Sequence, residues 1–158
     1  KNFDGFCIVS SDSDFTKLAA RIREAGLVVY GFGEKKTPGP FVSACDKFIY
    51  LEILSGKSTE EEEGATTKKT KEVETVDKIT PKVIRLLTQT VNDLADDDGW
   101  AFLGDVGGLL QKKQPNFDAR NFGFQKLTPF IKSIKQLEIE ERENPKGRSK
   151  LMYVRIRE

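Results

Sequence analysis

A run of 25 residues near the middle of the chain, SGKSTEEEEGATTKKTKEVETVDKI (residues 55–79), is almost free of large apolar side chains. Such a segment cannot bury enough apolar surface to offset the entropy lost when its backbone is ordered. We therefore predict a flexible charged linker there. It divides the 158-residue chain into an N-terminal region, 1–54, and a C-terminal region, 80–158, each with its own apolar pattern.

The N-terminal region alternates short β-rich runs with helical patterns. Strands are predicted at Phe6–Val9, Leu27–Tyr30 and Lys47–Leu51, a helix at Phe15–Ala25, and a short helix around Phe41–Ala44. The order strand–helix–strand–helix–strand predicts a parallel sheet with right-handed crossovers. Because three strands are few for a parallel sheet that must be covered on both faces, we expect part of an α/β domain, of the Rossmann-like kind.

The C-terminal region has the pattern of three helices followed by a β-hairpin. Thr80 and Pro81 suit the start of a first helix, which should end at the Asp-rich run 96–98. Further helices are predicted at Trp100–Lys112 and Phe124–Ile134, with a short helical turn between them. Two alternating strands follow, joined by the turn-rich loop ENPKGRSK. They are predicted at Leu137–Glu141 and Leu151–Ile156. This order predicts an α+β winged helix-turn-helix.

Residue composition excludes several kinds of site. The chain has no His, so a Ser-His or Cys-His nucleophile pair and a His-ligated zinc are excluded. Its two cysteines, Cys7 and Cys45, lie in apolar runs, and we expect both to be buried, reduced thiols. No apolar run approaches the roughly 20 residues of a membrane span, and no leader pattern opens the sequence. We therefore expect a cytoplasmic protein that makes no membrane contact.

Asp12 and Asp14 directly follow the first predicted strand, in the stretch CIVSSDSDF. Functional groups of an open parallel sheet gather at the carboxyl ends of its strands. Mg²⁺ and Mn²⁺ prefer carboxylate oxygens and can activate water for phosphodiester hydrolysis. Ser and Asp are also the ordinary residues of a helix N-terminus, where acidic groups complement the helix dipole. The spacing alone leaves both a metal site and a helix cap open.

The stretch CIVSSDSDFTKLAARIREAGLVVYGFGEKKTPGPFVSACDKFIYLE resembles the C-terminal half of an NYN domain, a PIN-like nuclease fold. The resemblance implies a Mg²⁺- or Mn²⁺-dependent ribonuclease-type site to which Asp12 and Asp14 each contribute a carboxylate. The family's other acidic residues, one on an N-terminal strand and one before the strand seen here, have no counterpart in this sequence. We therefore expect Asp12 and Asp14 to be metal-site residues of a complete NYN domain, and this chain alone to be inactive and metal-free.

The stretch DDDGWAFLGDVGGLLQKKQPNFDARNFGFQKLTPFIKSI, with the later strand KLMYVRI, resembles an OST-HTH or LOTUS domain. The resemblance implies a winged helix that binds RNA, single-stranded or structured, or that docks a protein partner. NYN followed by LOTUS is a familiar domain order, so the two resemblances support each other.

Basic residues are unevenly distributed in the LOTUS-like region. Over residues 97–158, twelve Lys and Arg outnumber nine Asp and Glu, whereas the whole chain carries a net charge of only +1. A helix N-terminus, a helix face and a wing can together grip phosphates. The predicted nucleic-acid-binding residues are Arg120, Asn121, Lys126, Lys132, Lys135, Lys146, Arg148 and Lys150.

Two functions follow from these patterns. One is an RNA-binding or RNA-processing protein, and the other is a non-catalytic adaptor whose winged helix docks a protein partner. DNA reading is weaker, because Pro129 interrupts the third predicted helix, which carries few side chains suited to base edges. Trp100 is interpreted as a core residue, with base stacking as the alternative. The three phenylalanines Phe117, Phe122 and Phe124 are also interpreted as core residues, with an exposed stacking or peptide-docking role as the alternative.

Overall fold

The protein is described by a computed structural model over residues 3–54, 76–143 and 150–157. The greater part of the predicted linker, and the wing residues 144–149, lie outside the described residues. Within the described ranges no helix is long and apolar enough to cross a membrane.

The N-terminal region forms a three-stranded parallel sheet of order β1-β2-β3. Helices α1 and α2 connect its strands and pack against each other. The elements are β1 (Gly5–Val9), α1 (Phe15–Glu24), β2 (Val28–Gly33), α2 (Gly39–Ala44) and β3 (Lys47–Tyr50). The predicted parallel α/β sheet is thereby confirmed.

Glycines bring the sheet and its helices close together. A Cβ atom at Gly31 would lie 2.5 Å from the Phe48 ring and 2.7 Å from Cys45 Sγ, so only glycine lets these side chains fill the centre of the core. Gly26, with φ of 76°, occupies the left-handed conformation that ends α1. The core is small, and its buried members are Ile8, Ala19, Val29, Phe41, Val42, Cys45 and Phe48.

The C-terminal region is a winged helix with a three-stranded antiparallel sheet of order β4-β6-β5. A 3-10 helix, Ala119–Phe122, lies between its second and third helices. The elements are α3 (Pro81–Leu94), β4 (Ala101–Phe102), α4 (Leu103–Lys113), α5 (Leu127–Lys132), β5 (Leu137–Glu143) and β6 (Lys150–Ile156). The predicted helical region with a β-wing is confirmed.

Two helices of this region differ from the prediction. Residues 101 and 102 are strand β4, paired with Val154 and Tyr153 of β6, so α4 begins at Leu103 rather than at Trp100. The third helix covers only Leu127–Lys132, because Phe124 closes the preceding turn by donating its N–H to the Ala119 carbonyl. Pro129 therefore lies in the first turn of α5, where its missing N–H costs no intrahelical bond.

The winged-helix core is nearly twice as large as the other and is centred on aromatic rings. Phe130 is fully buried, and its ring centroid lies 5.9 Å from Phe117, 4.9 Å from Phe122 and 5.5 Å from Phe124. Helices α3 and α4 supply Leu87, Val91, Val106 and Leu110, and the sheet supplies Leu137 and Val154. The interpretation of the three phenylalanines as core residues agrees with these contacts.

The two regions meet at the free edge of β3. The Phe48 N–H donates to the Pro115 carbonyl at 2.9 Å, and Asn116 Nδ2 donates to the Tyr50 hydroxyl at 2.9 Å. A third contact is the ion pair of Lys35 Nζ with Asp77, also at 2.9 Å. The loop after α4 thus satisfies backbone and side-chain groups of an edge strand that would otherwise face solvent.

Candidate nucleic-acid interface

The carboxylate pair lies where the sequence predicted it, between the end of β1 and the start of α1. Asp12 and Asp14 are both exposed, and Asp12 Oδ1 accepts the N–H of Asp14 at 3.0 Å. Asp14 occupies the residue before α1 but makes no capping bond with its own side chain. The pair forms an Asx turn that leads into the helix, which is the local structure expected of a helix entrance.

The donor set at this edge of the sheet does not make a metal centre. Among the described residues there is no group of three or more His, Cys, Asp or Glu side chains that could hold a metal ion. Two other acidic residues follow neighbouring strands, but Glu34 pairs with Lys36 at 2.5 Å, and Glu52 accepts the Lys35 N–H at 2.9 Å. Asp12 and Asp14 alone therefore do not fit a catalytic Mg²⁺ or Mn²⁺ ion, and we derive no reaction step through one.

A lysine surface surrounds α5. Lys126, immediately before the helix, and Lys132 and Lys135, at and beyond its end, are all exposed. None of the three forms an ion pair with any residue that the structure describes. Residues 119–137 contain no Asp or Glu at all. This part of the domain therefore carries uncompensated positive charge, and we call these three residues the α5 lysine surface.

Arg120 is engaged within the protein. Its Nε and Nη2 atoms donate to the two carboxylate oxygens of Asp118 at 3.0 and 2.7 Å, and its backbone N–H donates to the same carboxylate at 2.9 Å. Burial alone would raise the pKa of Asp118, but these bonds to Arg120 outweigh it, and the pKa of the carboxyl is lowered. Asp118 thereby caps the 3-10 helix, and Arg120 has only part of its charge free for a ligand.

Asn121 lies in the interior of the domain, where it cannot touch a nucleic acid. Asn121 is 3% exposed, and its side-chain Nδ2 donates to the Asn116 carbonyl at 3.0 Å. Its backbone carbonyl accepts the Asp77 N–H at 2.7 Å. Its role is to hold the 116–121 loop and the chain that enters the domain. Its place in a polar turn was readable from the sequence, but only the tertiary fold decides which polar turn residues point inward.

The predicted wing residues are described only in part. Lys146 and Arg148 lie outside the described residues, and Lys150, the first residue of β6, is ion-paired with Glu141 across the hairpin. The side-chain hydrogen bond from Lys150 to Glu141 raises the pKa of the lysine. Because both groups are largely exposed, this pair leaves Lys150 accessible to a stronger anion.

Sequence reasoning missed one group of side chains. They lie on the solvent side of the antiparallel sheet β4-β6-β5, which we call the wing sheet. Trp100 belongs to no core cluster; it lies against the guanidinium groups of Arg142 and Arg155. The interpretation of Trp100 as a core residue is therefore wrong. The order Trp-Ala-Phe at 100–102 was the sequence feature that indicated an outward-facing Trp100. Strand alternation puts Trp100 and Phe102 on the face opposite to buried Ala101.

A cleft of about 260 Å³ opens beside the lysine surface, between α4 and the loop before α5. Gly107 and Gly108 form its floor on the helix side, and Leu127 faces them, since a Cβ at Gly107 would lie 3.2 Å from Leu127 Cδ2. The glycines keep this face of α4 flat, so that a partner's side chain could approach the helix backbone.

Comparisons with known proteins agree with this architecture. Residues 1–52 match the model of the NYN domain, and residues 74–149 match that of the OST-HTH/LOTUS domain. No curated protein matches the chain.

Two solved structures are similar in sequence. The solution NMR structure of an uncharacterized protein from Nitrosomonas europaea is 29% identical, with a TM-score of 0.47, over 62% of this chain and 91% of that one. A solution NMR structure of a protein from Chromobacterium violaceum is 34% identical, with a TM-score of 0.39, over 46% of this chain and 77% of that one.

Proposed function

We propose that this chain, an NYN domain followed by an OST-HTH/LOTUS domain, binds RNA and that the α5 lysine surface grips the phosphate backbone. The single observation that supports the proposal most is the charge of residues 119–137, where four basic residues occur without an acidic one. Lysines without an acidic partner release condensed counterions when they neutralise phosphates, which favours binding to any polyanion. Both domain types are RNA-associated in general, which favours RNA over other polyanions.

The acidic residues of the winged helix lie on other elements, outside the stretch 119–137 that carries the α5 lysine surface. Asp96, Asp97 and Asp98 form the turn after α3, and Asp105 lies in the first turn of α4. A nucleic acid is therefore attracted to the α5 lysine surface, where Lys126 lies, and is repelled by the acidic turn. The bound strand is predicted to run along α5 toward the wing.

A charge-matched pair of variants tests the proposal. The change Lys126→Ala, Lys132→Ala, Lys135→Ala removes the α5 lysine surface, and the change Lys78→Ala, Lys82→Ala, Lys112→Ala removes three exposed lysines elsewhere in the same region. We expect the first variant to lose about tenfold or more in RNA affinity, and its salt slope to fall by about 2 for a single strand. The second variant should bind like the wild type.

Fluorescence anisotropy with labelled RNA over a series of salt concentrations measures both quantities. If the two triple variants lose affinity equally, general charge rather than the α5 surface governs binding. If the wild type binds no RNA at physiological salt, the proposal fails.

The second candidate function is that of an adaptor that docks a protein partner, and the cleft beside α4 favours it. A Cβ at Gly108 would have no atom within 4 Å, so Gly108→Gln places a side chain in the cleft without a clash. An adaptor would lose its partner through Gly108→Gln, whereas RNA binding through the α5 lysines would keep its affinity. Calorimetric titration with the partner and anisotropy with RNA separate the two.

Asp12 and Asp14 receive no catalytic role in this proposal. Their carboxylates are solvent-exposed, and one of them already accepts a backbone N–H, as helix-entrance residues do. We propose that they become part of a Mg²⁺ or Mn²⁺ site only together with acidic residues that the described part of the chain does not bring to them.

A further inference from the structure

The two faces of the wing sheet carry different kinds of side chain. Leu137, Ile139 and Val154 point into the core, as strand alternation requires, and the residues between them point to solvent. On that solvent side the register places Phe102 opposite Tyr153, and Tyr153 opposite Glu140. We call this surface the aromatic–arginine face; it consists of Trp100, Phe102, Arg142, Tyr153 and Arg155.

Rings and guanidinium groups on this face contact one another in one continuous ladder. Arg142 Cζ lies 4.6 Å from the Tyr153 ring centroid and 5.1 Å from that of Trp100, and Arg155 Cζ lies 4.7 Å from the Trp100 centroid. The Phe102 and Tyr153 ring centroids are 5.8 Å apart. Three aromatic rings and two planar cations thus share one side of a rigid sheet.

The backbone around Trp100 is fixed in place. Asp96 Oδ1 accepts the Trp100 N–H at 2.9 Å, and the Asp96 N–H donates to the Trp100 carbonyl at 2.9 Å. Gly99 closes this turn with φ of 78°, a conformation that favours glycine. The tryptophan therefore does not need to be ordered when a ligand arrives, which lowers the entropic cost of binding.

The other members are held by their neighbours. Gly104 lets the Phe102 ring lie against the start of α4, because a Cβ at that position would come within 2.5 Å of the ring. Glu140 accepts a hydrogen bond from Arg142 at 3.2 Å, and Glu138 pairs with Arg155. The carboxylates fix the guanidinium planes, yet Phe102 remains 37% exposed and Arg155 is exposed as well.

The core does not require these rings. Its own aromatic cluster consists of Phe117, Phe122, Phe124 and Phe130, on the opposite side of the sheet. An outward sheet face that only had to be soluble could carry short polar residues instead of a tryptophan, a tyrosine and a phenylalanine. The rings of the aromatic–arginine face are therefore not part of the buried core.

We propose that the aromatic–arginine face stacks the unpaired bases of single-stranded RNA, an inference that rests on the proposed RNA-binding function. Aromatic rings and guanidinium planes are the two surfaces on which proteins stack splayed-out bases. Arg157 is exposed beyond the end of β6, beside Glu138. The three arginines on this side, Arg142, Arg155 and Arg157, balance the carboxylates of Glu138, Glu140 and the neighbouring Asp96, so stacking on rings and guanidinium planes is the main attraction that this side offers to a base. Chains that carry flat, electron-rich rings match this surface.

Duplex RNA does not match this face, because its bases are stacked on one another and are not available to the rings. A single strand can place bases on the ladder while its phosphates run past Arg155 and Arg157. The stacking contribution should be insensitive to salt, unlike that of the α5 lysine surface. This difference allows the two surfaces to be tested separately.

Trp100 is the only tryptophan of the chain and therefore a built-in reporter of this face. The experiment titrates the full chain with a labelled 12-nucleotide single-stranded RNA and, in parallel, with a 16-base-pair RNA duplex, following label anisotropy and Trp100 fluorescence together. Single-stranded RNA should quench Trp100 in step with the rise in anisotropy. The duplex, which contacts lysines only, should leave the tryptophan signal unchanged.

Variants extend the test. Tyr153→Ala should weaken single-strand binding by about tenfold with an unchanged salt slope, and Tyr153→Phe should bind as the wild type does. Tyr30→Ala removes an exposed aromatic ring from the other sheet and should have no effect. Far-ultraviolet circular dichroism confirms that each variant is folded, and the wild-type quenching experiment needs no variant at all.

Each outcome decides one question. If RNA binds and depends on the α5 lysines while Trp100 is not quenched and Tyr153→Ala binds normally, the stacking site is overturned and the proposed function stands. If the duplex quenches Trp100 as strongly as the single strand, the assigned ligand class is overturned. If neither RNA binds, the proposed function and the stacking site fail together.

Discussion

The described part of the chain contains two three-stranded sheets, and their solvent-facing sides differ in kind. The antiparallel wing sheet carries outward rings that contact guanidinium groups, and these are in turn paired with carboxylates. On the parallel sheet, side chains such as Val9, Val28 and Tyr30 are exposed on the face opposite to the core. The wing sheet therefore presents an ordered, chemically specific surface, whereas the parallel sheet presents a bare apolar one.

The difference extends to the interiors. Among the residues that the structure describes, thirteen form the buried core of the winged helix and seven form that of the parallel sheet. Since burial of apolar area is the main stabilising contribution in folding, the winged helix should be the more stable of the two regions. The chain also provides one reporter for each, Trp100 in the winged helix and the buried thiol of Cys45 in the parallel sheet.

The largest effect is expected when the aromatic centre of the winged helix is removed. Phe130→Ala leaves a cavity among three other phenylalanines and should lower the free energy of unfolding by about 3–5 kcal/mol. Urea unfolding followed by Trp100 fluorescence measures the loss. If the midpoint of unfolding barely moved, the aromatic cluster would not be the centre of this core.

A second, smaller effect is expected in the core of the parallel sheet. Gly31→Ala forces a methyl group against Phe48 and Cys45 and should cost about 1–3 kcal/mol. Cys45 is only 1% exposed, and burial raises the pKa of its thiol to about 11, so the native thiol is shielded and almost entirely protonated at pH 8 and should react with thiol reagents far more slowly than the unfolded one. The rate of Cys45 modification therefore reports on the stability of this region, and exposed Cys7 serves as the fast internal standard.

Gly39→Ala is the matched control, because a Cβ at Gly39, the first residue of α2, would have no atom within 4 Å. The two variants differ only in whether the added methyl group meets the core. Equal modification rates of Cys45 in both variants would contradict the close packing around Gly31. Trp100 unfolding should be unaffected in both.

The third prediction concerns the pH dependence of stability at Asp118, in the loop after α4 that contacts β3. The folded pKa of Asp118 is lowered, so its contribution to stability is present above its unfolded pKa of about 3.9 and is lost as pH falls through the folded value. Asp118→Asn keeps an acceptor for the Arg120 N–H but removes the ion pair. Because Arg120 is partly exposed, the loss at pH 7 should be about 0.5–1 kcal/mol.

Urea unfolding of the wild type and Asp118→Asn at pH 7 and at pH 2.5 measures this contribution. The difference in unfolding free energy between the two proteins should shrink at the lower pH, where the wild-type carboxyl approaches the neutral state of the amide. A difference that is the same at both pH values would show that the charge of Asp118 contributes nothing.

Local patterns were sufficient to predict the elements of both regions, because apolar periodicity reflects which face of a helix or strand is buried. All three strands of the parallel sheet, and the hairpin of β5 and β6, lie within a few residues of their predicted places. The positions of Asp12 and Asp14 at the end of β1 follow from the same patterns. Strand ends and helix starts are local features, and they need no knowledge of the tertiary fold.

Errors arose where a non-local partner decides the outcome. Ala101 and Phe102 form a strand only because β6 offers them a pairing edge, and two residues carry no readable period. The same pairing turns Trp100 outward. Cys7 was expected to be buried, but it is exposed, because alternation on β1 points Ile8 rather than Cys7 into the core. For Cys7 the sequence shows the alternation but not which face is covered.

The smallest effect tests the bare face of the parallel sheet directly. Val9 is 70% exposed, whereas Val29 on the neighbouring strand is fully buried. Val9→Thr should change the free energy of unfolding by no more than about 0.5 kcal/mol. Val29→Thr should cost about 1–3 kcal/mol, because the same hydroxyl group must be desolvated in the core.

The rate of Cys45 modification measures both changes, and the shape of each side chain is nearly conserved. A cost for Val9→Thr that matches the cost for Val29→Thr would mean that the exposed face is covered in solution. The exposed face could then be buried either by a second copy of the protein or by another part of the same chain. Repeating the measurement over a hundredfold range of protein concentration would separate these two explanations, since association with a second copy weakens on dilution and packing within the chain does not. Either result would remove the contrast between the two sheets, whereas a near-zero cost at Val9 preserves it.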